Sequence, residues 1–140
     1  MWFWYAIFSA VFASLVAIFG KMGLKGIDTT LATTVRAVIM AGFLLITSLS
    51  LKKFDGFSFS SFTGRDWVFI ILSALAGAIS WIFYFSALKE GKASNVATID
   101  RLSIVFVIIF AALFLGEELG VKSLAGAFLI VSGAVLIVLQ

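Results

Sequence analysis

Five apolar stretches, Trp2–Gly20, Leu31–Leu51, Trp67–Leu88, Val96–Leu115 and Gly120–Leu139, occupy almost all of the 140 residues. A helix rises about 1.5 Å per residue and a bilayer's hydrocarbon core is about 30 Å thick, so each run is long enough to cross once. The chain is therefore expected to be an all-α integral membrane protein with five transmembrane helices. Five crossings place the two termini on opposite sides.

Hydrophobic residues make up 63% of the chain and charged residues 12%, whereas a soluble domain is about 45–50% apolar. Little remains for a water-soluble appendage, and residues 1–140 read as one transmembrane domain. The longest connection, Lys52–Asp66, mixes Ser and Gly with Phe54, Phe57, Phe59 and Phe62, which suits chain lying at the membrane interface. The N-terminus lacks a basic leader, and its apolar run through Phe19 is longer than a typical signal-peptide core, so it reads as a retained helix. Trp2, Trp4, Tyr5 and Trp67 sit where aromatic side chains anchor helix ends at headgroups, or serve as lipid-facing bulk.

Cysteine and histidine are both absent. That removes thiol nucleophiles, disulfides, the commonest metal ligands and the commonest general base. No cofactor, metal or nucleic-acid partner is expected, and nothing forms a nucleophile–base pair, so an enzyme is the last-ranked reading.

Basic residues in the connections are divided evenly. Lys52, Lys53, Arg65 and Lys122 fall on the face that carries the N-terminus, and Lys21, Lys25, Lys89 and Lys92 fall on the other. Adding Arg36 and Arg101, which lie inside spans near that second face, leaves only a modest excess there. Single-topology proteins concentrate Lys and Arg on the cytoplasmic side. A four-to-four balance predicts insertion in both orientations, and two opposed five-span copies would make a ten-span unit with inverted-repeat symmetry. Unless a partner or the first helix fixes one topology, the expected assembly is an antiparallel homodimer.

Charges within the apolar runs point to a site. Starting the second helix after Arg36, or the fourth after Arg101, leaves too few residues to cross about 30 Å. Either those helices are short and tilted, or Arg36, Asp100 and Arg101 lie at hydrocarbon depth, each costing about 2.5–3.5 kcal/mol unless paired or wetted. Arg36 and Asp100 enter from the same face, so the spacing allows them to pair between helices. Arg101 can either line a cavity or snorkel to phosphate. Asp100 is too short to snorkel and would be repelled by anionic headgroups, which favours a buried or cavity-facing place.

The third run carries Ser73, Gly77, Ser80 and Tyr84 on one helical stripe, with Trp81 beside it. This stripe suits close helix packing or a substrate path. Gly126 and Gly133, flanked by Ala127 and Ala134, read as a packing seam within the protomer or between protomers. Ser9 and Ser14 are the polar residues of the first run, which has no acid, leaving Asp100 as the one intramembrane carboxylate that a proton could share with a substrate. Glu117 and Glu118 follow Gly116 at a helix end and read as solvated.

The run LKEGKASNVATIDRLSIVFVIIFAALFLGEELGVKSLAGAFLIVSGAVLIV, Leu88–Val138, resembles the second part of an EamA domain of the drug/metabolite transporter superfamily. FGKMGLKGIDTTLATTVRAVIM, Phe19–Met40, resembles its beginning. The LGE-type helix end at Leu115–Glu117, followed by a Gly-rich last span, is the most specific part. The resemblance implies a ten-helix transporter fold of two inverted five-helix repeats, of which this chain would be one, carrying small metabolites or amphipathic compounds. It also singles out Arg36 as the arginine of the second helix and Glu117 as the acid after the fourth. The family often places Pro at the head of the fourth helix; this chain has no Pro and has Asp100–Arg101 near that point. The related four-span small multidrug exporters use a first-helix Glu, which is missing here.

These features lead to a secondary transporter of a small organic molecule in a prokaryotic plasma or inner membrane. Arg36, Ser80, Trp81, Tyr84, Asp100 and Arg101 are the candidate substrate-binding residues. Two Arg against one Asp lean towards an anionic or zwitterionic group, and the aromatics towards an apolar part. The alternatives are a multidrug exporter of lipophilic cations, which would need Asp100, and a non-transporting membrane assembly or scaffold subunit, which would need only its packing seams.

Overall fold

A computed structural model describes residues 1–58 and 61–139. Those residues hold five helical spans long and apolar enough to cross a membrane and no strand. The elements are α1 (Trp2–Gly23), α2 (Thr29–Ser50), α3 (Gly64–Glu90), α4 (Ala93–Asp100), α5 (Ser103–Phe110), a π-helical segment (Ala111–Leu115) and α6 (Val121–Val138). They fall into two compact units, one of Met1–Met22 with Glu90–Gln140 and one of Gly23–Lys89.

Each helix in the second unit has a local reason to begin where it does. Asp28 caps α2, its carboxylate accepting from the Leu31 amide at 2.9 Å. At α3 the Thr63 hydroxyl and amide donate to Asp66 at 2.7 and 2.9 Å, and the Asp66 amide returns a bond to the hydroxyl at 3.3 Å. This reciprocal box satisfies orphan amides of the first turn and lets α3 start three residues before its apolar run. Near the other end of α3, the Ser86 hydroxyl donates to the Ile82 carbonyl, so across the 3.2 Å contact Thr29 is the donor to Ser86. Lys89 Nζ donates to the Ile27 carbonyl at 3.1 Å, which ties the end of α3 to the turn before α2.

The aromatic connection forms a continuous contact series. Phe54 meets Phe57, Phe57 meets Phe62, and Phe62 meets Trp67, with centroids 5.8, 5.7 and 5.5 Å apart. Phe59, counted among these aromatics from sequence, lies outside the described residues.

In the first unit α6 packs on α4 and α5. Ala127 and Ala134, seven residues apart, are its buried positions. The glycines beside them are not the point of closest approach, because a Cβ at Gly126 or Gly133 would meet nothing within 4 Å. The seam expected from sequence is thus carried by the alanines. Lys21 Nζ donates to the Gly91 carbonyl at 2.8 Å and joins the end of α1 to the turn before α4.

The fourth span, read from the sequence as one run that carries Asp100 and Arg101, is three segments. Between α4 and α5 the amides of Leu102, Ile104 and Val105 bond three residues back instead of four, a tightening of the helix next to Asp100 and Arg101. The span then widens into the π-helical segment and ends at Gly116, whose φ of +69° is left-handed. The Gly116 and Glu117 amides both reach the Ala111 carbonyl. Gly meets this conformation without the Cβ clash that other residues incur, which accounts for the glycine of the LGE sequence.

Several hydroxyls inside the spans are satisfied locally. Ser14, Thr33, Thr34, Thr47, Thr98 and Ser132 each donate to a carbonyl three or four residues earlier. They therefore need no external acceptor to reside in a bilayer.

Candidate functional site

Within the Gly23–Lys89 unit, α2 and α3 bound a groove of about 480 Å³. Its floor is built from small residues: Ala37 and Ala41 on α2, and Ala74, Gly77 and Ala78 on α3. Each set falls at helical spacing, so one face of each helix lacks the side-chain bulk that would close the gap. Met40, Leu44 and Ile82 make most of the remaining wall apolar, while Thr33, Thr34, Arg36 and Trp81 concentrate the polar and aromatic groups.

Arg36 lies seven residues beyond the start of α2 at Thr29, a rise of about 10 Å. Its guanidinium carbon stands 3.7 Å from the centroid of a Trp81 ring and 5.2 Å from Phe85. Trp81 and Phe85 are themselves stacked, 5.5 Å apart at 26°. The ring quadrupoles partly replace water around the cation. The guanidinium offers five N–H donors, all in its own plane. Among the described residues of this unit they meet no acceptor.

The candidate residues divide as follows. Arg36 and Trp81 are brought together at the groove. Tyr84 is half-buried against Trp81 but is not part of the groove wall, its ring edge-on to Trp81 at 5.8 Å and to Phe85 at 5.9 Å. Ser80 is exposed and is not part of the groove wall. Asp100 ends α4 and Arg101 caps it, both exposed, in the other unit at the tightened turn. The groove stripe on α3 is Ala74, Gly77, Ala78 and Trp81, rotated from the Ser73, Gly77, Ser80 and Tyr84 stripe and sharing only its glycine. The sequence reading did not single out Phe85, Thr33 or Met40. For Phe85 a signal was available, since Trp81 and Phe85 are four apart and followed by Leu88, the stripe whose last two members are buried.

The described residues contain no cluster of three or more metal-ligating side chains. Chemically, the groove can hold an apolar body and present a fixed cation to it.

The chain matches the model of the EamA-like transporter family over residues 1–139. It is 41% identical over 136 residues to an uncharacterized transporter in the cobO 3' region of Sinorhizobium sp, covering 97% of this chain and 95% of that protein. It is also 28% identical to the uncharacterized transporter YvbV of Bacillus subtilis, covering 94% of this chain and 43% of that protein. An uncharacterized transporter of Archaeoglobus fulgidus is 32% identical over 86% of this chain and 40% of its own length. The chain thus spans less than half of two of these relatives and nearly all of the third. No solved structure matches.

Proposed function

Because the chain belongs to the EamA-like transporter family, we propose that it is a secondary transporter of a small organic metabolite, working by alternating access as an antiparallel homodimer. The family and the transporter relatives make it a multi-pass membrane transporter, and its place of work is a prokaryotic plasma membrane.

The observation that carries the proposal is Arg36, an arginine about 10 Å inside an apolar helix with its guanidinium over the Trp81 ring at the wall of a 480 Å³ groove. A charge at that depth costs about 2.5–3.5 kcal/mol on an insertion scale, and a substrate-binding role accounts for retaining it. Arg36 and Trp81 form the anchoring group at the groove, with Tyr84 packed edge-on against Trp81, and with Ser80 on α3, both outside the groove wall. Asp100 and Arg101 contribute charge where the fourth span departs from α geometry. Irregular turns in a span are places where transporters bind and move. The near-even division of basic residues between the connections of the two faces supports pairing of two oppositely oriented copies. In this groove a lipophilic cation would be repelled by the guanidinium, so the anion-compatible reading is favoured over cation export.

The test uses vesicles reconstituted with the full chain and loaded with a mixed metabolite extract, the contents being followed by mass spectrometry. A restricted set of small organic compounds should leave wild-type vesicles and remain in protein-free and Arg36→Gln vesicles. Identical losses from all three would refute the proposal.

A further inference from the structure

The geometry points to a single-chain amphipathic organic anion as the occupant of the α2–α3 groove, its carboxylate on Arg36 and its apolar tail along the small-residue floor. This assignment rests on the transporter reading and names the substrate class of the same site.

Three observations fix the chemistry. First, the groove is polarised along its length: Arg36, Thr33 and Thr34 stand towards the start of α2, while Met40, Ala41 and Leu44 follow with no charged group. Second, the threonine hydroxyls donate to Thr29 and Thr30 carbonyls at 2.7 and 2.9 Å. Their protons are thereby engaged, leaving the guanidinium as the donor suited to an anion. Its planar fork, with its carbon 3.7 Å from the Trp81 ring centroid, matches a carboxylate's two oxygens better than a spherical ion. Third, the eight residues from Arg36 to Leu44 rise about 12 Å, which sets the tail length. A volume of about 480 Å³ suits one small ligand and is tight for a two-chain lipid.

Gly77 supplies a variant that blocks the tail without removing the charge. A Cβ there would meet nothing within 4 Å, and replacing a mid-helix glycine improves helix propensity, so Gly77→Leu should fold and fill the groove.

The test follows Trp81 fluorescence in the full chain with Trp2, Trp4 and Trp67 changed to Phe, reconstituted in phosphatidylcholine nanodiscs. Decanoate should give a saturable change that decylammonium and decanol do not. From hexanoate to decanoate, affinity should rise about fourfold per methylene and then level off once the tail exceeds the groove. Arg36→Gln should weaken decanoate binding about tenfold or more, and Gly77→Leu should abolish it. Equal responses to decanoate, decanol and decylammonium, or unchanged decanoate affinity in both variants, would overturn the assignment. So would displacement of decanoate by phosphatidylglycerol placed in the nanodisc, which would make the groove a lipid site. The two readings fail separately: decanoate binding without any metabolite efflux refutes the transporter, and efflux without decanoate binding refutes this occupant.

Discussion

Trp81→Leu should expose how far the rings make Arg36 tolerable. The guanidinium lies 3.7 Å from the ring centroid and is partly buried, between the exposed and desolvated limits for cation–π contacts, so the interaction should be worth about 1–2 kcal/mol. Trp81→Leu alone loses that attraction and leaves the cation on an apolar helix with Phe85 at 5.2 Å. Arg36→Met alone removes the costly charge as well as the contact, and should be milder or stabilising. In the double mutant the penalty of Trp81→Leu should shrink, giving a coupling energy of about 1–2 kcal/mol in the direction of mutual stabilisation. Reversible unfolding in mixed micelles, titrated with a denaturing detergent, measures all four corners. Additivity within about 0.5 kcal/mol would refute the claim that the stack holds Arg36 in place.

Other substitutions separate geometry from composition. Gly116→Ala should cost about 1–2 kcal/mol because φ there is +69°, whereas Gly126→Ala and Gly133→Ala should be neutral or stabilising by up to about 1 kcal/mol; the same unfolding titration distinguishes them. Thr63→Ala removes the reciprocal box at the head of α3 and should lower stability by about 1 kcal/mol, read as a shifted unfolding midpoint. C-terminal reporters of opposite compartment preference should both be active in the natural chain. Adding two or three Lys to the Lys52–Asp66 connection should silence one of them.

The spans were legible because hydropathy alone sets whether a helix can reside in lipid. Their ends were less so, since α3 continues through Arg65 and Asp66 on the strength of a side-chain box that apolarity does not register. Arg36 stood out as a charge in an apolar run, and Trp81 was near the stripe chosen for α3. The groove face itself was not legible, because Ala and Gly look alike whether they pack a helix or leave a gap. Only the distance between α2 and α3 decides which. The tightened turn at Asp100–Arg101 was hidden for a related reason: with no proline in the chain, nothing local announces a departure from α geometry.

The most direct test of the central claim uses two variants locked in opposite orientations by added loop lysines, reconstituted separately and together from co-expressing cells. Efflux of the same restricted metabolite set from the mixed vesicles, with neither locked form active alone, is the predicted result. Full efflux from one locked form by itself would contradict the antiparallel unit.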